Sequence, residues 1–377
     1  GKHVSKGANG FLLEMKQLLS LSLTCLLIRG AVANEDNWAV IVSSSRYWHN
    51  YRHTANALGI YQAVKRHGIP DRRIILMISD DHSCNPRNPE TGKMFAEPSK
   101  KDDICRNAEI DFRGSEVARR SFLRVLTAGT PLGPNQVSPE RKTMQSTSRS
   151  SVLIFLSGHG GHGFLKFHDY EELSANDLRN AIRTMHALGR YKRVLLLLDT
   201  CEAASMTSII DSPDVVAVAS SGFDEKSRSS NLAEEFGLPM SDRFSLVAID
   251  FLQSRRALTS TIEGFVNSFE FTSVGSHVHV HSTVNDASLS EIGLREFLDG
   301  SMPLSMDLMS RGEETVPTLL AGMRSHGEEE EGHQSSAPIS TGTYTCATRH
   351  VPVDSHPQSC IDSNLIIVSV AIAVGVA

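Results

Sequence analysis

Two hydrophobic runs each end in a side chain that can do chemistry. Val152-Leu153-Ile154-Phe155-Leu156 leads into Ser157-Gly158-His159-Gly160-Gly161, and Val194-Leu195-Leu196-Leu197-Leu198 leads into Asp199-Thr200-Cys201. An imidazole beside a thiol can take its proton and turn it into a nucleophile, the arrangement of acyl transfer through a thioester. The glycines around His159 leave bare backbone there, so Gly160 can offer its N–H to a developing oxyanion. A lone free cysteine is more often a buried, inert one; the pairing with His159 is what sets Cys201 apart. Zinc held by His159, His162 and Cys201 lacks a second cysteine or a carboxylate pair at ligand spacing. His162 and His168 read as surface or substrate-side groups.

The elements that must position this pair follow from the pattern. Continuous aliphatic runs read as strands buried on both faces of a parallel sheet. The helix expected between them, capped by Ser174-x-x-Asp177 and carrying Leu178, Ile182 and Met185, makes one crossover and leaves the two strands close together. In open parallel sheets chemistry gathers at the carboxyl ends of the strands, where His159 and Cys201 would meet. Further strands are expected at Trp38–Val42, Ile74–Ile78 and Val215–Ala219, the last ending at Ser220-Ser221. Helices are expected from Asn50 to His67 with Gly68 as the stop, from Glu116 to Leu126 and from Asp242 to Gln253. Residues 82–110 and 129–150 read as polar loops. The alternation is α/β, a mainly parallel sheet with helices on both faces.

A formal charge of −6 and the lack of a Lys/Arg block give no footprint for nucleic acid. Six cysteines in 377 residues do not make a disulfide scaffold. Residues 1–33 read as upstream residues and a secretory signal: Met15-Lys16, an apolar core from Leu18 to Ile28, then Ala31-Val32-Ala33 as a cleavage site. Residues 34–300 form the catalytic domain. Residues 301–363, with Glu328–Glu331 and much Ser, Thr, Gly and Pro, read as a flexible acidic linker. Residues 364–377 end in a 13-residue apolar run, about 20 Å as a helix against a hydrocarbon core of about 30 Å, and read as part of a C-terminal anchor.

The strand ending in His-Gly and the strand ending in Asp-x-Cys resemble the legumain-like, caspase-fold cysteine peptidases. The likeness is greatest to the branch that transfers proproteins to glycosylphosphatidylinositol (GPI). Asn50-Tyr51-Arg52-His53, Val64-Lys65-Arg66-x-Gly68-Ile69-Pro70-Asp71, Cys84-Asn85-Pro86-Arg87-Asn88-Pro89, Gly158-His159-Gly160-Gly161 and Asp199-Thr200-Cys201 carry it. It spans residues 36–255, and 256–360 match poorly. Legumains carry an aspartate where Gly158 stands, and Glu202 stands where the branch usually has an uncharged polar residue.

The resemblance implies a Cys201 thioester at the ω-site carbonyl of a C-terminal GPI signal, with His159 moving protons and the GPI ethanolamine phosphate amine as acceptor. It implies Asn50 as the group orienting the imidazole, and Arg52, Ser227 and Ser229 around the small ω residue. It implies no cofactor for the chemistry, a calcium ion at Asp71, Glu109 and Asp111, whose hard oxygens suit Ca²⁺, and a Cys84 disulfide to a partner subunit. Cys105, Cys346 and Cys360 are the in-chain alternatives for that bridge. The implied partners are the other subunits of a membrane-bound complex, the proprotein and the GPI lipid, in the endoplasmic reticulum membrane with the catalytic domain lumenal. A hydrolytic legumain-like endopeptidase and a non-catalytic scaffold subunit are the competing readings.

Overall fold

The computed structural model describes residues 37–99, 102–127 and 142–300. The expected signal, linker and anchor, together with Cys346, Cys360 and most of the loop at 129–150, lie outside the described residues. Among the described residues no helix is long and apolar enough to cross a membrane.

Seven strands form one sheet: β1 (Trp38–Ser43), β2 (Ile74–Ile78), β3 (Phe112–Arg113), β4 (Ser151–Ser157), β5 (Arg193–Asp199), β6 (Val215–Ala219) and β7 (His279–Ser282). Their order is β7-β6-β5-β4-β1-β2-β3, parallel except for antiparallel β7 at one edge. The expected fold class is the one observed. β3 and β7 were not expected, because two to four residues of mixed polarity carry no readable period.

The aliphatic runs are continuous because both faces are covered. Ala39 and Ile41, Leu76, Leu153 and Phe155, and Leu195 and Leu197 face α1 (Tyr51–Arg66) and, further along the chain, the helix Arg243–Gln253. Val40 and Val42, Met77, Ile154 and Leu156, and Leu196 and Leu198 face the other way, onto α2 (Arg119–Leu126) and α3 (Ala175–Ala187). Each fully buried Leu or Ile contributes roughly 1.5–3 kcal/mol of transfer free energy. After α3 come α4 (Ala203–Thr207) and α5, the helix Arg243–Gln253.

The expected punctuation is in place. Gly68, at φ 93°, ends α1, its N–H donating to the Lys65 carbonyl at 3.0 Å. Ser174 and Asp177 cap α3 reciprocally, each side chain accepting the other's backbone N–H at 3.1 Å. One boundary moves. The helix expected from Glu116 starts at Arg119, because Glu116 is spent closing a 3-10 turn over Gly114–Glu116, its carboxylate accepting the Arg113 N–H at 3.3 Å.

Residues beyond 255, where the family likeness was expected to fade, are part of the core. Ile262, Phe265, Leu294, Phe297 and Leu298 are fully buried against α1 and α5. The helices there span four or five residues, too short to show an amphipathic stripe in sequence.

Candidate active site

The register decides where the two reactive groups stand. β4 and β5 pair in parallel from Ser151↔Arg193 to Ser157↔Asp199, so their carboxyl ends are level. His159 and Cys201 each follow two residues beyond that last pair. β1, on the other side of β4, ends at Ser43, and the turn Trp48–Asn50 that follows brings Asn50 to the same edge. Cys201 is a free, half-buried thiol.

The hydrogen bonds of Asn50 set the chemistry of His159. Asn50 Nδ2 donates to the Arg46 carbonyl at 2.6 Å, which fixes the amide orientation and leaves Oδ1 facing the imidazole. Oδ1 lies 2.7 Å from His159 Nε2 and 3.5 Å from Arg52 Nη1. An amide oxygen can only accept, so Nε2 must carry the proton and Nδ1 keeps its lone pair for the reaction. Burial, then the charge of Arg52, then that of His49, hold His159 below the usual imidazole range, which keeps the ring neutral. The buried ring of His53 packs edge-on against it, with centroids 4.9 Å apart, and burial keeps His53 neutral as well.

The peptide carrying the thiol is clamped from β6. Ser220 Oγ accepts the Thr200 N–H at 3.2 Å, and both Ser220 and Ser221 hydroxyls donate to the Thr200 carbonyl, at 3.1 and 2.9 Å. Ser221 Oγ also accepts the Ala203 N–H at 3.1 Å. Glu202 turns left-handed at φ 53° and α4 starts one residue later, so Cys201 stands in the turn ahead of the helix. Glycine is required beside it. A Cβ on Gly160 would lie 2.4 Å from Thr200 Oγ1 and 2.5 Å from the Phe164 carbonyl. On Gly158 it would lie 2.0 Å from Ser44 Oγ, so a side chain there would push the Ser44 hydroxyl off its bonds to the Ser157 and Lys166 carbonyls.

Next to the dyad, Arg52, Ser229 and Ser227 converge on two buried carboxylates. Arg52 Nε donates to Asp242 Oδ1 at 3.0 Å, and Ser229 bridges Asp242 through the backbone. Ser227 Oγ donates to Asp199 Oδ1 at 2.7 Å and Ser245 Oγ to Asp199 Oδ2 at 2.5 Å. Asn56 Nδ2 donates to Asp242 Oδ2 at 2.6 Å. Burial raises both carboxyls; the nearby Asp199 charge raises Asp242 further. Sequence reasoning stopped at Arg52 and the serines. Asp199 was visible only as a strand end in the Asp-x-Cys motif and Asp242 only as the first residue of an expected helix, and nothing in their spacing ties them together.

The other expected sites differ. Asp111 is ion-paired with Lys142 at 2.9 Å and accepts the Leu76 N–H at 2.9 Å, and Asp71 is ion-paired with Lys65 at 2.8 Å. Ammonium groups thus neutralise Asp111 and Asp71, and a calcium ion held with Glu109 would have to displace Lys142. Cys105 is a buried free thiol, which removes it as a candidate partner for Cys84, while Cys346 and Cys360 lie outside the described residues. His168, expected near the surface, is buried beneath Tyr170, their rings stacked 5.4 Å apart. His162 is exposed, as expected.

Residues 37–299 match the peptidase C13 family. The chain is 35% identical to the GPI-anchor transamidase of Schizosaccharomyces pombe over 94% of its own length and 96% of that protein. It is 40% identical to the GPI-anchor transamidase of Saccharomyces cerevisiae, over 72% of the chain and 68% of the relative. To the human GPI-anchor transamidase it is 41% identical, over 60% of the chain and 56% of the relative.

Proposed function

The chain belongs to the peptidase C13 family, and from that premise we propose that it is the catalytic subunit of a GPI transamidase, a cysteine-dependent enzyme. The observation that carries the reading is the Asn50–His159 hydrogen bond at the level ends of β1 and β4, with Cys201 at the level end of β5. Together with it stands the likeness to GPI-anchor transamidases along nearly the whole chain.

The chemistry follows from those positions. Nδ1 of His159 takes the Cys201 proton, and the thiolate attacks the carbonyl carbon of the ω residue. The oxygen gains the negative charge and meets the Gly160 N–H. The C–N bond breaks, the departing amine takes the proton from His159, and a thioester remains. The amine of GPI ethanolamine phosphate then attacks, losing its proton through His159, and the C–S bond breaks to free the thiol. Arg52, Ser227 and Ser229 surround the small ω side chain. None of these steps needs a cofactor.

Amine must win over water at the thioester, and a GPI held by neighbouring subunits supplies it at high effective concentration. We therefore take the enzyme to work in a membrane-bound complex, its catalytic domain in the lumen of the endoplasmic reticulum. The calcium expectation at Asp71, Glu109 and Asp111 is tested by a melting temperature that responds to a chelator.

Membranes holding the chain, given a proprotein with a GPI signal, test the reading. Lipid-anchored product is expected without hydrazine and soluble hydrazide with it, both lost in Cys201→Ala. Efficient cleavage after asparagine in ordinary peptides by the chain alone would instead establish a hydrolytic endopeptidase.

A further inference from the structure

We propose that His162, Glu202 and Asp224 form a zinc-binding site at the mouth of the catalytic centre, separate from the dyad. One ligand atom of each residue lies within 4.8 Å of the other two. The closest pair, His162 Nδ1 and Glu202 Oε2, is 3.4 Å apart. That is longer than an ordinary N–H···O hydrogen bond. It matches the spacing of two ligands on one tetrahedral ion, since zinc bonds of about 2.1 Å put neighbouring ligands about 3.4 Å apart.

The donors are otherwise uncommitted. Among the described residues, no hydrogen bond and no lysine or arginine takes up the carboxylates of Glu202 and Asp224, and the His162 ring has only its contact with Glu202. Two carboxylates held close without a cation repel, and a divalent ion removes that repulsion. A nitrogen donor in the set favours zinc over calcium or magnesium, which take oxygen alone. Three protein ligands leave a fourth position open to water or another ligand.

The site depends on the carboxylate of Glu202. The dyad is the competing zinc site, since His159 Nε2 is committed to Asn50 while Nδ1 keeps its lone pair beside the thiol. Glu202 follows Cys201 directly, so an ion held there puts its charge one residue from the nucleophile. Zinc then inhibits without binding the thiol.

The test uses the full chain carrying Cys201→Ala, titrated with zinc chloride against a fluorescent zinc chelator. One equivalent should bind. Adding Glu202→Gln or His162→Ala should weaken binding by at least the 10- to 100-fold that even an outer-shell loss typically costs. Both side chains are partly or largely exposed, and equal metal-free melting temperatures will show that the variants fold. In the Cys201 enzyme, Glu202→Gln should raise the zinc concentration needed for half-inhibition by the same factor. Loss of zinc in Cys201→Ala alone would assign the metal to the dyad. Undiminished binding in Glu202→Gln and His162→Ala, or no binding below millimolar zinc, would overturn the site.

Discussion

Asn50 does two jobs with one amide: its NH₂ is tied to Arg46 and its oxygen dictates the tautomer of His159. Asn50→Ala should leave the fold intact and lower kcat/KM within the about 10²- to 10⁴-fold that a positioned acid–base group contributes. Asn50→Asp, which can still accept from Nε2, should retain more activity than Asn50→Ala, and steady-state kinetics of the two variants check this. The lowered His159 carries a pH consequence. The neutral base persists to lower pH than an ordinary imidazole, so the acid limb of kcat/KM should fall below about 6.5, the unperturbed value. A limb at or above that value would mean that His159 is not held below the ordinary imidazole range. His159 and Cys201 were legible in the sequence because strand ends and glycines mark them, and Asn50 through the family resemblance alone. Ser220, Ser221 and Asp242 were not, since their work is hydrogen bonding across the fold, and no local pattern announces a partner nearly two hundred residues away in the chain, as Asn56 is from Asp242.

The central strands announced themselves at the level of elements because each is apolar throughout, and α1 did so through its stripe and its terminal glycine. The short helices beyond Ser254 stayed silent, although their side chains fill the core. The contact between α1 and α5 shows how close the packing is. A Cβ on Gly59 would lie 2.3 Å from Ile249 Cδ1. Gly59→Leu should therefore overpack this contact and cost about 1–3 kcal/mol, despite leucine's better helix propensity. Adding Ile249→Ala should recover part of the loss. Chemical denaturation of the two single variants and the double variant measures the coupling, and simple additivity would mean that the two side chains do not meet.

The last described segment is tied to the sheet of the whole molecule by charge as well as by packing. Arg193, buried at the start of β5, pairs with Glu296 at 2.8 Å and Asp286 at 3.0 Å, and Asn37 Nδ2 donates to the Glu296 carbonyl at 2.8 Å. Arg193→Ala takes one of two cations from the largely buried Glu296, which keeps Lys192 at 3.1 Å, and should destabilise the chain by about 1–3 kcal/mol in denaturant unfolding. The Cys84 bridge expected from the sequence is tested at this level. A non-reducing gel of the assembled complex should show a high-mass band that Cys84→Ser abolishes if the bridge joins two subunits. An unchanged single-chain mass with intact reactivity of the Cys105 thiol would assign the bridge to Cys346 or Cys360.

The level ends of β1, β4 and β5 also bear on how this enzyme comes into being. β1 leaves the ribosome early and waits, both edges unpaired, for β2 and then for β4, which are far along the chain. An apolar strand with open edges is a target for association with other chains during that wait. The thiol emerges after the imidazole and meets it only once β5 has docked in register. Until then Cys201 is an ordinary cysteine, so no activated nucleophile stands on the chain before β5 has docked. A probe selective for activated thiols would consequently count the chains whose sheet has closed.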